Sequence, residues 1–185
     1  MQPREHSNDT NIVIIGFMGV GKTTIGSLLA QKLNREFFDV DKLIEMEFGR
    51  TIPEIFELWG EQSFREKERD IILTLCRQRN KVIALGGGAF IQEDIRNYCL
   101  KHCSVFLLDL SWEEWKTNRL TSIIDTRPLL QNITLTEMHQ LFHHRKTLYR
   151  HHWKFNIDKL SPHEASDYIM GSLPMKMPRD GSNHA

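Results

Sequence analysis

Neither sign of charge dominates this sequence: its 185 residues carry 24 Lys plus Arg against 24 Asp plus Glu. With no basic excess and no basic stripe, a nucleic-acid partner is not expected, although a small anion needs only a local group of arginines. Cysteine is scarce. The three present, Cys76, Cys99 and Cys103, are an odd set without a disulfide framework, and they read as reduced thiols of a cytoplasmic protein. No apolar run reaches membrane-spanning length, and Met1–Thr10 lacks the apolar stretch of an export signal, so neither membrane nor secretion is expected. Zinc-type spacing is missing as well. His139 and His143 stand four apart, but Gln140-Leu141-Phe142 supplies no glutamate for H-E-x-x-H, and Cys99 and Cys103 have no second ligand pair. There are no internal repeats and no linker, so the length points to one domain.

What the chain does contain is Gly16-Phe17-Met18-Gly19-Val20-Gly21-Lys22-Thr23-Thr24, which satisfies the phosphate-loop pattern G-x-x-x-x-G-K-[ST]. Glycines let backbone N–H groups close on a phosphate, and a helix starting near Lys22 turns its free N–H groups and dipole toward the same anion. Lys22 adds a point charge for the terminal phosphates, and the Thr23 hydroxyl suits Mg²⁺. A chance glycine turn is the bland alternative. Against it, Ile12–Ile15 leads in as a buried strand, and Ile25, Leu28, Leu29 and Leu33 follow at helical spacing.

Further along, residues 36–41 read as a short strand ending in Asp39 and Asp41, whose alternation would point both carboxylates the same way. Residues 42–80 read as helical, with breaks at Gly49 and Gly60. A third strand, Val82–Leu85, runs into Gly86-Gly87-Gly88; a fourth spans 104–110, and Ser111 with Glu114 matches the capping-box spacing that opens another helix. Residues 121–133 read as an irregular loop, 134–152 as a helix, 154–157 as a strand and 162–171 as the last helix. Residues 1–10 are expected to be a flexible lead, and the tail after Leu173 to be disordered. Strands alternating with helices imply an α/β fold, a parallel sheet covered on both faces. Ligands of such sheets bind beyond the strand carboxyl ends, where the phosphate loop, Asp39/Asp41 and the three glycines all fall.

Each candidate has a plainer reading beside it. Asp39 or Asp41 could simply cap the next helix. Arg65 and Arg145 suit a carboxylate, yet arginines with i,i+3 partners such as Glu68 are usually solvated helix faces. Arg127, in Asp125-Thr126-Arg127-Pro128, could close on a γ-phosphate. Trp59, Trp112, Trp115 and Trp153 are expected in the core or at its edge.

The series GFMGVGKTT at 16–24, FDVD at 38–41, SFREKE at 63–68, LGGGA at 85–89, TRPLL at 126–130 and RKTLY at 145–149 resembles the shikimate kinase family from about Ile12 to Leu173. The resemblance implies a P-loop NTPase, adenylate-kinase-like three-layer α/β/α fold, with a five-stranded parallel sheet in order 2-3-1-4-5. It implies transfer of the γ-phosphate of ATP to the 3-hydroxyl of shikimate, with one Mg²⁺ per subunit, by a monomer in the cytoplasm. Carried over, ATP would meet Gly19, Val20, Gly21, Lys22, Thr23, Thr24, Arg119 and Arg127. Lys22, Asp41 and Arg127 would be catalytic, Thr23 a direct Mg²⁺ ligand and Asp39 a ligand through water. Shikimate would meet Asp41, Arg65, Gly86, Gly87, Gly88 and Arg145, with Glu68 bracing an arginine. The substrate-binding subdomain would span about 42–76 and the lid about 119–133. Two departures stand out: no arginine lies near Ser161-Pro162, which leaves Arg119 for the base contact, and Trp153 is bulkier than the family's usual small residue. A gluconate-type sugar-acid kinase would share the fold but not the F-R and R-P-L-L elements. A non-catalytic binding module would be expected to lose the lysine, the D-x-D pair or the lid arginine, all of which are present.

Overall fold

The apolar run Ile12–Ile15 forms strand β1, and every residue in it is buried. Its two faces set the layers, because successive side chains of a strand alternate. Ile12 and Ile14 enter one core cluster and Val13 and Ile15 the other. The computed structural model describes residues 9–124 and 128–173. After β1 come α1 (Lys22–Leu33), β2 (Glu36–Asp39), α2 (Val40–Phe48), α3 (Ile52–Arg77) and β3 (Lys81–Ala84). A 3₁₀ turn at Ala89–Ile91, α4 (Glu93–His102), β4 (Ser104–Asp109), α5 (Trp112–Asn118), α6 (Leu120–Ile123) and α7 (Pro128–Gln131) follow. The described chain closes with α8 (Leu135–Leu148), β5 (Trp153–Asn156) and α9 (Pro162–Ser172).

All four strand pairings are parallel and the order is β2-β3-β1-β4-β5, as expected. One face of the sheet packs against α1, α8 and α9 through Leu29, Phe142 and Ile169; the other packs against α2, α3 and α4 through Ile44, Ile72 and Ile95. Each such fully buried apolar side chain stabilises the fold by about 1.5–3 kcal/mol. Both central neighbours of β1 are parallel strands, so the phosphate loop leaves the middle of the sheet.

Several boundaries differ from the sequence reading. β2 ends at Asp39 rather than Asp41, because the Asp39 side chain accepts from Lys42 N–H and caps α2, which already begins at Val40. Asp39 and Asp41 therefore do not alternate along a strand; Asp41 sits in the first turn of α2. The Gly60 break is a kink inside α3, with Gly60 at φ 78°, ψ 168°. Part of the predicted loop at 121–133 is helical in α6 and α7, and α8 stops at Leu148 rather than His152. Trp115 is fully buried as expected, but Trp59 is 45% exposed beside Phe48. The expected lead and tail lie outside the described residues, apart from Asp9 and Thr10, whose carbonyls accept from Asn80 N–H and the Arg35 guanidinium.

Candidate active site

The loop between β1 and α1 is held from behind by aromatic packing. Phe17, 3% exposed, meets Trp115 and Phe142 edge-on at 5.2 and 5.0 Å, and Trp115 Nε1 donates to the Met18 carbonyl at 2.8 Å. Val20 is buried in the same cluster, so only its backbone is available to a ligand. Gly21 takes φ 99° as the residue preceding α1, a left-handed conformation that favours glycine and starts the helix at the cleft. A Cβ on Gly19 would stand 2.6 Å from Ile123 Cδ1, so α6 lies directly over the loop. The Lys22 ammonium donates to the Gly16 and Phe17 carbonyls at 2.9 and 3.0 Å, which holds it across the loop's mouth.

Thr23 and Asp39 meet although they lie on different elements. Thr23 Oγ1 donates to Asp39 Oδ2 at 2.5 Å. Asp39 thus caps α2 and at the same time faces the phosphate loop. A hydroxyl beside a carboxylate is an all-oxygen pair, the donor chemistry that Mg²⁺ prefers.

Opposite the loop, the glycine triplet makes room for charged groups. A Cβ on Gly86 would stand 2.5 Å from Asp41 Oδ1 and 3.3 Å from Glu68 Oε1, and one on Gly88 would stand 2.9 Å from Arg65 Nη2. Arg65 Nη1 donates to Glu68 Oε2 at 2.7 Å, and its Nη2 pairs with Glu61 at 3.2 Å. Glu68 is buried and also accepts from Gln92 Nε2 at 2.8 Å. Burial pushes the Glu68 carboxyl up to about 6; Arg65 opposes this and the nearby Asp41 charge adds to it. Arg65 is thus no solvated helix charge but a guanidinium held by a buried carboxylate.

Gly87 is fixed by its carbonyl, which accepts from the Tyr149 hydroxyl at 3.0 Å. Burial raises that hydroxyl to about 12, against the pull of the neighbouring Arg145 charge, so the phenol keeps its proton. The bond also ties Arg145, one helical turn upstream on α8, to the glycine strand end.

A cleft of about 380 Å³ is lined by Gly19, Gly21, Lys22, Thr23, Thr24, Asp39, Asp41 and Gly87, which brings together the loop, the carboxylates and the middle glycine. Gly86, Gly88 and Arg65 stand behind Asp41 and Gly87 rather than on that lining. Arg145 and Arg119 do not line it either; Arg119 joins α5 to α6, and its buried Nε has no hydrogen-bond partner among the described residues. Arg127 lies outside the described residues. Lys42 and Glu45 also line the cleft and were not anticipated. Glu45 accepts from Ile52 N–H at 3.0 Å, joining α2 to α3 across Gly49. Gln92 and Tyr149 were missed as well, since their partners lie 24 and 62 residues away. Among the described residues no helix is long and apolar enough to cross a membrane. The three cysteines are buried free thiols.

Comparison with known proteins agrees with this arrangement. The shikimate kinase family profile matches residues 18–173. The shikimate kinase of Bacillus subtilis (strain 168) is 53% identical over 167 residues, covering 89% of each chain. A solved shikimate kinase from Acinetobacter baumannii, in complex with shikimate, is 34% identical with a TM-score of 0.78, covering 87% of this chain and 90% of that one. The shikimate kinase from Bacteroides thetaiotaomicron gives 30% identity and a TM-score of 0.79, over 88% of this chain and 97% of that one. Phosphate loop, sheet order and sequence identity over most of the length lead to one conclusion: the chain belongs to the shikimate kinase family.

Proposed function

We propose how the residues of this cleft divide the work of an ATP-dependent shikimate kinase, which moves the γ-phosphate of ATP to the 3-hydroxyl of shikimate. The observation that carries the assignment is the convergence of Lys22, Thr23, Asp39, Asp41 and Gly87 on one cleft. The N–H groups of Gly19–Thr24 and the α1 dipole cradle the phosphates, and Lys22 leaves its loop carbonyls to follow the γ-phosphate. Thr23 would hold Mg²⁺ directly and Asp39 through water, and that ion would neutralise charge on the phosphates.

On the acceptor side, Arg65 and Arg145 clamp the shikimate carboxylate, and Gly86-Gly87-Gly88 offers backbone contacts to the ring hydroxyls. Asp41 orients the 3-hydroxyl and takes its proton as the new oxygen–phosphorus bond forms and the bond to the ADP oxygen breaks. Arg127 supplies positive charge to the transferring group from a lid at about 119–133, and Arg119 meets the base. Residues 42–76 act as the substrate-binding subdomain. The buried free thiols support a cytoplasmic setting, and a monomer is the assembly proposed.

The test is ADP release from Mg·ATP with and without shikimate, and with gluconate alongside. Release that depends on shikimate and not on gluconate is expected. ADP formation indifferent to shikimate would refute the assignment.

A further inference from the structure

Helix α8 carries a second arrangement that the kinase chemistry does not use. His139 and His143 are both exposed on its outer face, and their Nε2 atoms lie 3.0 Å apart. The two rings are 4.3 Å apart at 64°, and the His139 ring also stands edge-on to Trp112 at 4.8 Å. Lacking an intervening glutamate, the pair cannot be the hydrolytic zinc motif its spacing brings to mind. The geometry nevertheless allows a simpler role.

We infer that His139 and His143 form a two-point clip for a divalent transition-metal ion on the solvent face of α8. With metal–nitrogen bonds of about 2.0–2.1 Å, two nitrogens 3.0 Å apart subtend about 95° at a shared ion. That angle belongs to tetragonal or octahedral coordination, the preference of Cu²⁺ and Ni²⁺, and is narrow for tetrahedral Zn²⁺. Both imidazoles offer their Nε2 lone pairs when each keeps its proton on Nδ1, so the ion replaces the present ring-to-ring hydrogen bond as the two exposed rings turn their Nε2 atoms toward it. The helix sets the spacing, since residues four apart lie one above the other on the same face. Among the described residues no group of three or more His, Cys, Asp or Glu is placed to hold a metal. Water therefore fills the remaining positions, and the site is an exchangeable one, distinct from the Mg²⁺ site proposed at Thr23 and Asp39.

The test is calorimetric titration of the full chain with NiCl₂ alone, followed in parallel by tryptophan emission, because Trp112 lies against His139. One ion per chain is expected, with quenching that saturates at the same ratio. Loss of an outer-shell partner alone weakens a metal site by about 10–100-fold, so His139→Ala and His143→Ala should each weaken binding at least about tenfold. His144→Gln, on the neighbouring position of the helix, should leave it unchanged. Unaltered affinity in the first two variants, or an equal loss in the third, would overturn the clip. All three side chains are exposed, so the variants should fold normally.

Discussion

Arg65 and Glu68 form one unit at the residue scale, a guanidinium side chain at 29% exposure held by a carboxylate at 1%. Replacing Arg65 by Ala removes one arm of the proposed carboxylate clamp and leaves Glu68 without its cation. Shikimate binding should weaken by about 2–5 kcal/mol while ATP binding is spared. Ligand titrations by calorimetry would show it, and equal losses for both ligands would contradict the role. The buried carboxyl makes a separate prediction about pH. Its folded-state pKa, about 6, lies above the ordinary value of 4.5. Its contribution to stability is therefore greatest below pH 4.5, where the group is protonated folded or unfolded, and declines as pH rises to about 6. A gap of about one and a half pH units corresponds to about 2 kcal/mol. Urea unfolding of wild type and Glu68→Gln between pH 4 and 7 isolates this effect, because other groups cancel in the difference. The stability difference should fall by about 2 kcal/mol across that window. A flat difference would mean that Glu68 titrates normally.

At the scale of elements, α3 depends on a break in its own helix. Gly60 at φ 78°, ψ 168° occupies backbone space that is essentially closed to other residues, and nothing lies within 4 Å of a Cβ built there. Gly60→Ala should therefore cost about 1–3 kcal/mol through backbone strain alone. The helix cannot escape by straightening, since Ile55 and Phe64 on either side of the kink are both buried in the same core. Denaturant midpoints would record the loss, and an unchanged midpoint would show that α3 straightens freely. The sequence marked this break because a glycine inside a helical pattern is a local signal. It did not reveal where β2 stops, because alternation of Asp39 and Asp41 fits a strand as well as a capped helix start. Only the contact of Asp39 with both Lys42 N–H and Thr23 decides that, and it depends on β2 lying beside the start of α1.

For the whole molecule, legibility follows sequence distance. Strand, phosphate loop and helix lie within one short stretch, so local spacing was sufficient to read them. The support for Gly87 from Tyr149, and that for Glu68 from Gln92, joins segments far apart in sequence and exists only once the chain has folded. The same division separates stability from chemistry along the strands. The carboxyl ends carry the cleft, while the opposite end of β1 is tied by Asn11, which is 2% exposed. Its Nδ2 donates to Gln78 O at 2.7 Å and to Leu75 O at 3.2 Å, and its Oδ1 accepts from Lys81 N–H at 2.9 Å. One side chain thus joins the start of β1 to the end of α3 and the start of β3. Leu75 O keeps its bond from Gln78 N–H, but Asn11→Ala strands Gln78 O and Lys81 N–H at about 1–3 kcal/mol each, so the fold should lose about 2–6 kcal/mol in total. Because the cleft lies at the other end of the strands, kcat and both KM values should stay near wild type at temperatures where the variant remains folded. Paired denaturation and ADP-release measurements would test both halves. A large catalytic loss in a fully folded Asn11→Ala protein would show that strain at one end of the sheet reaches the phosphate loop.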